Sequence, residues 1–141
     1  MNTPEVRVAV GILVQGDTVL MGQRRPDKPY PLQWEFPGGK CDDSEEYVEA
    51  LIRELREELH ITVMPEHCHV FHEDVNHYTT GVFRVRYFLI DRWQGSIDNT
   101  EFHALAWIPR HTIHEYAVLP GNQVVCACLQ NHVVLKKDMP Q

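Results

Sequence analysis

Three carboxylates and two arginines stand closer together in "RELREELHI", Arg53 to Ile61, than a solvated helix face requires. On a helix turning about 100° per residue, Glu54, Glu57 and Glu58 fall at i, i+3 and i+4 and share one side. Like charges at that spacing oppose the helix by roughly a few tenths of a kcal/mol per pair unless something positive sits among them. Arg53 and Arg56 could supply it, which would make the segment an ordinary charged surface. A hard divalent cation could also supply it, because Mg²⁺ takes oxygen ligands, usually one or two carboxylates with phosphates and water completing the shell. Just upstream, Gly38 and Gly39 of "FPGGK" provide backbone that can approach a ligand or metal without an obstructing side chain. A glycine loop followed by a carboxylate helix is a donor set for metal-assisted chemistry on phosphates.

Such carboxylates need a rigid support. Val48, Leu51, Ile52, Leu55 and Leu59 recur at three- and four-residue steps with no Gly or Pro between them. The spacing predicts a helix that buries this stripe, about 120° around the axis from the glutamates. Asp43 and Glu46 have capping-box spacing and predict that the helix starts there. Upstream, "VRVAVGILV" and "TVLMGQR" flank "QGD" and read as a hairpin, followed by "RPDKPYPLQWE", whose three prolines demand a loop. Downstream, "HVFHEDV", "GVFRVRYFLIDRW" and "HALAWIP" read as strands, with "QGSIDNTE" as a loop. "RHTIHEY" reads as a short helix, and "PGNQVVCACLQNHVVL" as a turn leading into a longer one. The order β-β-α-β-β-β-α predicts an α+β fold, an α-β-α sandwich with a mixed sheet packed between helices. A chain of 141 residues suits a single domain, 1–141.

Composition narrows the partners. Twenty acidic residues against thirteen Lys and Arg give a net charge of -7, which argues against a groove for a nucleic-acid polymer. Small phosphorylated ligands remain open if a cation intervenes. No run approaches the roughly 20 apolar residues that a membrane-spanning helix needs. The amino terminus lacks a basic region leading into an apolar block, so the expected location is the cytoplasm. Cys41, Cys68, Cys126 and Cys128 form no CxxC pair and are expected to be free thiols. His67 and His69 form an H-x-H pair without the Cys or His partners of a zinc site, and read as half-exposed strand residues.

The stretch "GKCDDSEEYVEALIRELREELHI", Gly39 to Ile61, resembles the Nudix box. Gly39, Glu45, Arg53, Glu54, Leu55, Glu57, Glu58 and Ile61 fill eight of the nine specified places, and His60 stands where the family has a second glycine. "QRR" and "WEFPGGK" extend the likeness to MutT-like members. The resemblance implies the Nudix fold and a hydrolase, dependent on Mg²⁺ or Mn²⁺, that cleaves a nucleoside diphosphate linked to another moiety. It makes Glu54, Glu57 and Glu58, with the Gly38 carbonyl, the metal ligands. Glu54 and Glu58 are then both candidates for the base, Arg53 orients the glutamates, and Glu101 is a further metal or base residue. Glu45 reads as structural, near the start of the helix or paired with Arg53.

The same resemblance matches Arg24 to a phosphate-contacting arginine, for which the alternative is a solvated strand end. It matches Asn122 of "LPGNQ" to a residue that reads a purine edge, for which the alternative is a helix N-cap. Gly39 and Lys40 are counted with the substrate contacts, and so is Phe36, although a core aromatic is the simpler account of that ring. His60 is expected at the end of the helix in a left-handed conformation, costing on the order of 1 kcal/mol.

The expected activity is a MutT-like pyrophosphohydrolase that converts a (deoxy)nucleoside triphosphate, oxidised dGTP foremost, to monophosphate and pyrophosphate, in keeping with nucleotide-pool sanitation and DNA repair. CTP, dCTP or another diphosphate derivative is the alternative substrate, and a non-catalytic nucleotide sensor is the alternative class. A small-molecule nucleotide is the expected partner, and the protein is expected to be a monomer or a homodimer.

Overall fold

Alternation along the first strand builds the architecture. In the computed structural model, which describes residues 4–131, β1 runs from Glu5 to Gln15 with Ala9, Ile12 and Leu13 wholly buried. Side chains alternate between the two faces of a strand, so consecutive buried residues mean that both faces are covered. Val10, Ile12 and Val14 pack on one side with Val125, Cys126 and Leu129. Ala9 and Leu13 pack on the other with Leu51, Leu55 and Leu59. The sheet therefore lies between two helices, as the predicted order of elements requires.

β1 turns through Gly16 and Asp17 into β2, Thr18–Gln23, with Val14 opposite Val19. Gly16 has φ +61°, which this two-residue hairpin turn needs and a glycine supplies without strain. After the proline loop come β3, Trp34–Glu35, and β4, Gly38–Lys40. The helix α1, Tyr47–Leu59, leads to β5, Cys68–Tyr78, and β6, Gly81–Ile90. β7, Ala104–Pro109, and α2, Gln123–Asn131, complete the described elements, with 3₁₀ turns at Pro65–His67, Arg110–Glu115 and Pro120–Asn122. The sheet order is β3-β2-β1-β6-β5, with β4 also on β1 and β7 also on β2. β6 runs parallel to β1 from Glu5 opposite Val82 to Leu13 opposite Ile90, and the other pairings are antiparallel.

Two expectations need correction. The helix starts at Tyr47, several residues later than the Asp43–Glu46 spacing suggested: the Glu49 carboxylate accepts the Glu46 backbone N–H at 2.7 Å, so the box is Glu46 with Glu49. Asp42 and Glu45 instead close a separate turn, with Glu45 N–H on the Asp42 carbonyl and Asp42 N–H on the Glu45 carboxylate. The glycines of "FPGGK" are not a free loop but a strand, with Val10 opposite Gly38 and Ala9 opposite Gly39. A Cβ at Gly38 would lie 2.2 Å from the Ala9 carbonyl oxygen, so the close strand approach excludes a side chain there.

The hairpin, the strands of the second half and the 3₁₀ turn in "RHTIHEY" lie where the patterning indicates, and the helix at the carboxyl end is present through Asn131. The remainder of that expected helix, from His132, lies outside the described residues. Cys41, Cys68, Cys126 and Cys128 are free. Among the described residues no helix is long and apolar enough to cross a membrane.

Candidate active site

The carboxylate face of α1 lies against β4. Leu51, Leu55 and Leu59 are wholly buried on the sheet side, and this anchoring turns Glu54 and Glu58 toward the glycine strand. The fit at Gly39 is close: a Cβ there would lie 2.4 Å from the Glu54 carboxylate carbon. Glu58 Oε1 accepts the Gly38 backbone N–H at 3.3 Å. Glu58 is held well above the usual carboxylate range, first by burial and then by the Glu54 carboxylate, with which it shares a hydrogen bond and a charge repulsion. The Glu101 charge adds to that repulsion.

Arg53 ties this cluster to the strand and to the turn before the helix. Its Nε and Nη2 grip Glu45 at 2.8 and 2.9 Å, Nη1 donates to Glu54 Oε1 at 3.0 Å, and Nη2 also donates to the Lys40 carbonyl at 3.0 Å. The fork holds the Glu45 carboxyl down at about 2 and raises the guanidinium's own affinity for its proton. Glu45 is thus a partner of Arg53, as its place near the start of the helix suggested. Glu57 is 58% exposed and reaches the same Nη1 at 3.5 Å, so it stands at the rim while Glu54 and Glu58 form the inner pair. Among the described residues no three His, Cys, Asp or Glu side chains converge into a ready-formed metal cage. The inner pair and the glycine backbone nevertheless form a set of hard oxygen donors, the chemistry a Mg²⁺-sized cation accepts.

The loop carrying Glu101 is tied down from two sides. Thr100 Oγ1 lies 3.2 Å from the Glu57 carbonyl and 3.3 Å from the Glu58 carbonyl at the end of α1. Arg25 donates to the carbonyls of Glu101 and Thr100 at 2.8 and 3.2 Å. Arg24, Arg25, Lys28, Glu35, Glu101 and Phe102 line a cavity of about 90 Å³ here. Arg24 is not a solvated strand end: Nη1 pairs with Glu35 at 3.0 Å and Nε donates to the Pro29 carbonyl at 2.7 Å. Burial raises the Glu35 carboxyl despite that partner. Arg25, Glu35 and Thr100 were not singled out from the sequence. Their only signal was adjacency: Arg25 and Glu35 lie within "QRR" and "WEFPGGK" of the recognised likeness, and Thr100 directly precedes Glu101.

Asn122 is 8% exposed and stands in the 3₁₀ turn that leads into α2. Its Oδ1 accepts the Phe36 backbone N–H at 3.3 Å, and its Nδ2 donates to the Tyr87 hydroxyl at 3.2 Å. The Phe36 ring lies in the core with Val10 and Ile12, so what this residue extends toward Asn122 is its backbone. Lys40 is exposed at the end of β4. His60 ends α1 at φ 60°, ψ 32°, with its N–H on the Arg56 carbonyl at 3.1 Å, as the glycine it replaces would. A larger cavity, about 220 Å³, lies between the Arg110–Glu115 turn and α2 and shares no residue with the carboxylate cluster.

A glycine strand facing an acidic helix within an α-β-α sandwich defines a class. The NUDIX domain profile matches residues 5–127. The chain belongs to the Nudix family and is a hydrolase of its MutT type. It is 28% identical over 127 residues to the 8-oxo-dGTP diphosphatase of Escherichia coli K12, covering 89% of this chain and 97% of the relative. It is 26% identical over 117 residues to the CTP pyrophosphohydrolase of the same organism, covering 83% and 85%. The fold is shared with MutT, in a structural study of the proteins from Aliivibrio salmonicida and Vibrio cholerae, at a TM-score of 0.76 and 22% identity over 90% of this chain and 98% of that one.

Proposed function

We propose that this hydrolase cleaves a (deoxy)nucleoside triphosphate, 8-oxo-dGTP foremost, to the monophosphate and pyrophosphate, with Mg²⁺, or Mn²⁺ in its place. The observation that carries the reading is the Glu54–Glu58 pair pressed against the side-chain-free backbone of Gly38 and Gly39. The cation's holders are Glu54, Glu57, Glu58 and Glu101 with the Gly38 carbonyl. When bound, it neutralises the phosphate chain, polarises phosphorus and lowers the pKa of a water.

The chain's own residues do the rest. A carboxylate of the Glu54–Glu58 pair takes the proton of the attacking water. Arg53 keeps Glu54 in place through the fork it shares with Glu45. Gly39 leaves the phosphate chain and the Glu54 carboxylate room to meet, and Lys40 and Arg24 face phosphate oxygens. Arg24 then exchanges part of its pairing with Glu35 for the substrate.

Asn122 supports a purine substrate. With one lone pair and one N–H committed, its amide keeps one acceptor and one donor for a ligand. The edge of 8-oxoguanine offers O6 as an acceptor and N7–H as a donor, which fits, whereas guanine offers two acceptors and strands a lone pair against a lone pair. The backbone at Phe36 supports the amide from the β3–β4 side. Cytosine also offers a donor beside an acceptor, and the likeness to a CTP pyrophosphohydrolase makes CTP the second reading.

Product release from 8-oxo-dGTP, dGTP, dCTP and CTP, with Mg²⁺ and with chelator, tests this. Pyrophosphate from 8-oxo-dGTP ahead of dGTP, abolished by chelator and by Glu54→Gln or Glu58→Gln, is the expected result. Preference for CTP moves the substrate to the second reading. Chelator-insensitive release, or orthophosphate as the product, overturns the mechanism.

A further inference from the structure

An irregularity in β5 decides which of its side chains share a face with Asn122. Val70 stands opposite Phe88 but His72 opposite Tyr87, so Phe71 is an extra residue and the register slips by one. In an unbroken register Glu73 would stand opposite Val85, and His72 and Asp74 would point to the α1 side. With the slip, His72 lies opposite Tyr87 and Asp74 opposite Val85, on the α2 side of the sheet. The two side chains are half-buried and pair there, His72 Nε2 lying 2.7 Å from Asp74 Oδ1. Asp74 Oδ2 has no hydrogen-bond partner among the described residues.

The same register lays a floor between this carboxylate and the amide. Val8 pairs with Val85 and Val85 with Asp74, so the three form one row across β1, β6 and β5, next to the row of Val10, Tyr87 and His72. Val8 and Val85 are half-buried, an apolar surface that ends at Asp74 on the edge strand.

A base held by Asn122 on that side acquires a direction. The Phe36 N–H can only donate, so it holds Oδ1 on the β3–β4 side, and Nδ2 points to Tyr87 on β6. An 8-oxoguanine that gives N7–H to Oδ1 and takes Nδ2 on O6 therefore lies with O6 toward β6. N1–H and the N2 amino group follow O6 around the ring, so they come next along the same line, toward β5. Two donors then meet the strand on which Asp74 offers an oxygen. Burial raises the Tyr87 hydroxyl to about 12 and the Asp74 charge adds to the rise, as a carboxylate close to that hydroxyl does.

We propose that Asp74 is a specificity-determining residue whose carboxylate accepts the amino edge of a guanine-type base. The inference rests on the reading of Asn122 as the base-contacting residue and adds a second edge by which the base is chosen. Asn122 separates the oxidised base from guanine, and Asp74 separates guanine-type bases from those that carry an acceptor at this edge. Cytosine is one of the latter. With N4–H on Oδ1 and N3 on Nδ2, its O2 comes next and sets lone pairs against the carboxylate.

Product binding tests the inference and needs no turnover. Calorimetry of the full chain compares 8-oxo-dGMP with 8-oxo-dIMP, which lacks only the amino group, and with dGMP, which lacks only the oxidation. The expected wild type binds 8-oxo-dGMP about tenfold more tightly than 8-oxo-dIMP, the worth of one hydrogen bond to a charged group. Asp74→Ala, its fold checked by thermal unfolding, brings that ratio near one and leaves the preference over dGMP in place. A merely structural carboxylate weakens both oxidised nucleotides equally. That outcome, or equal binding of the two by the wild type, overturns the role of Asp74 and spares the reading of Asn122. A wild type that binds 8-oxo-dGMP no better than dGMP overturns the reading of Asn122 instead, and an amino-group preference that Asp74→Ala removes still supports Asp74. No binding of any of the three overturns both. Should Asp74→Ala fail to fold, Asp74→Ser, which carries no carboxylate, decides in the same way: an intact amino-group preference refutes the proposal and its loss supports it.

Discussion

Arg25 and Glu101, 76 residues apart in sequence, meet through a hydrogen bond of 2.8 Å from the arginine Nε to the glutamate's backbone carbonyl. The same guanidinium reaches the Thr100 carbonyl, and Thr100 in turn bonds the last turn of α1. The end of β2 thus holds the Glu101 loop beside the helix that carries Glu54 and Glu58. Arg25→Ala should raise the Mg²⁺ concentration for half-maximal turnover several-fold with little change in Tm. Glu101→Gln should do the same, and the double variant no more than either. Titration of activity against Mg²⁺ measures this, and additive effects would show that Arg25 does not act through Glu101.

Gly39 is adjacent to the Glu54 carboxylate with no room for a methyl group. In Gly39→Ala the carboxylate must move, since the neighbouring strand cannot. A displacement near 1 Å at a reacting group costs about 100-fold in rate, so kcat should fall on that order while thermal unfolding changes little. Wild-type kcat in Gly39→Ala would mean that the Glu54 position is immaterial.

The Glu45 carboxyl, held near 2 against an ordinary 4.5 by Arg53 and then by the Asp42 backbone N–H, links folding to acidity. Its folded-state pKa is lowered, so the linked stability is present above about 4.5 and is lost as the pH falls toward 2. Glu45→Gln should lower Tm at neutral pH and flatten the decline of Tm between these values. An acid limb as steep as the wild type's would assign the proton uptake to other carboxylates.

His60 occupies the left-handed region with its side chain exposed. Restoring glycine relieves left-handed strain of about 1 kcal/mol and returns part of it as chain entropy. His60→Gly should stabilise the fold by about 0.5 kcal/mol, read from denaturant midpoints, with kcat unchanged. A large gain in turnover would instead tie this position to the chemistry.

The sequence by itself determined the local and the periodic. The stripe from Val48 to Leu59, the glutamates opposite it and the alternation of β1 obey repeats of 3.6 and 2, so the helix, the sandwich and the acidic face were legible from spacing. The left-handed place of His60 was legible for the same reason, since it depends only on where a helix stops. The tertiary structure alone decided what long-range register brings together. "GGK" becomes a strand because β1 passes beside it, and Arg24 finds Glu35 because β2 pairs with β3. Phe36, Tyr87 and Asn122 come from three distant stretches, and no local period relates them. Their hydrogen bonds exist only after sheet pairing and the packing of α2 have buried all three. The direction of one amide was therefore beyond any reading of spacing, because it is set by which buried neighbours can donate and which can only accept.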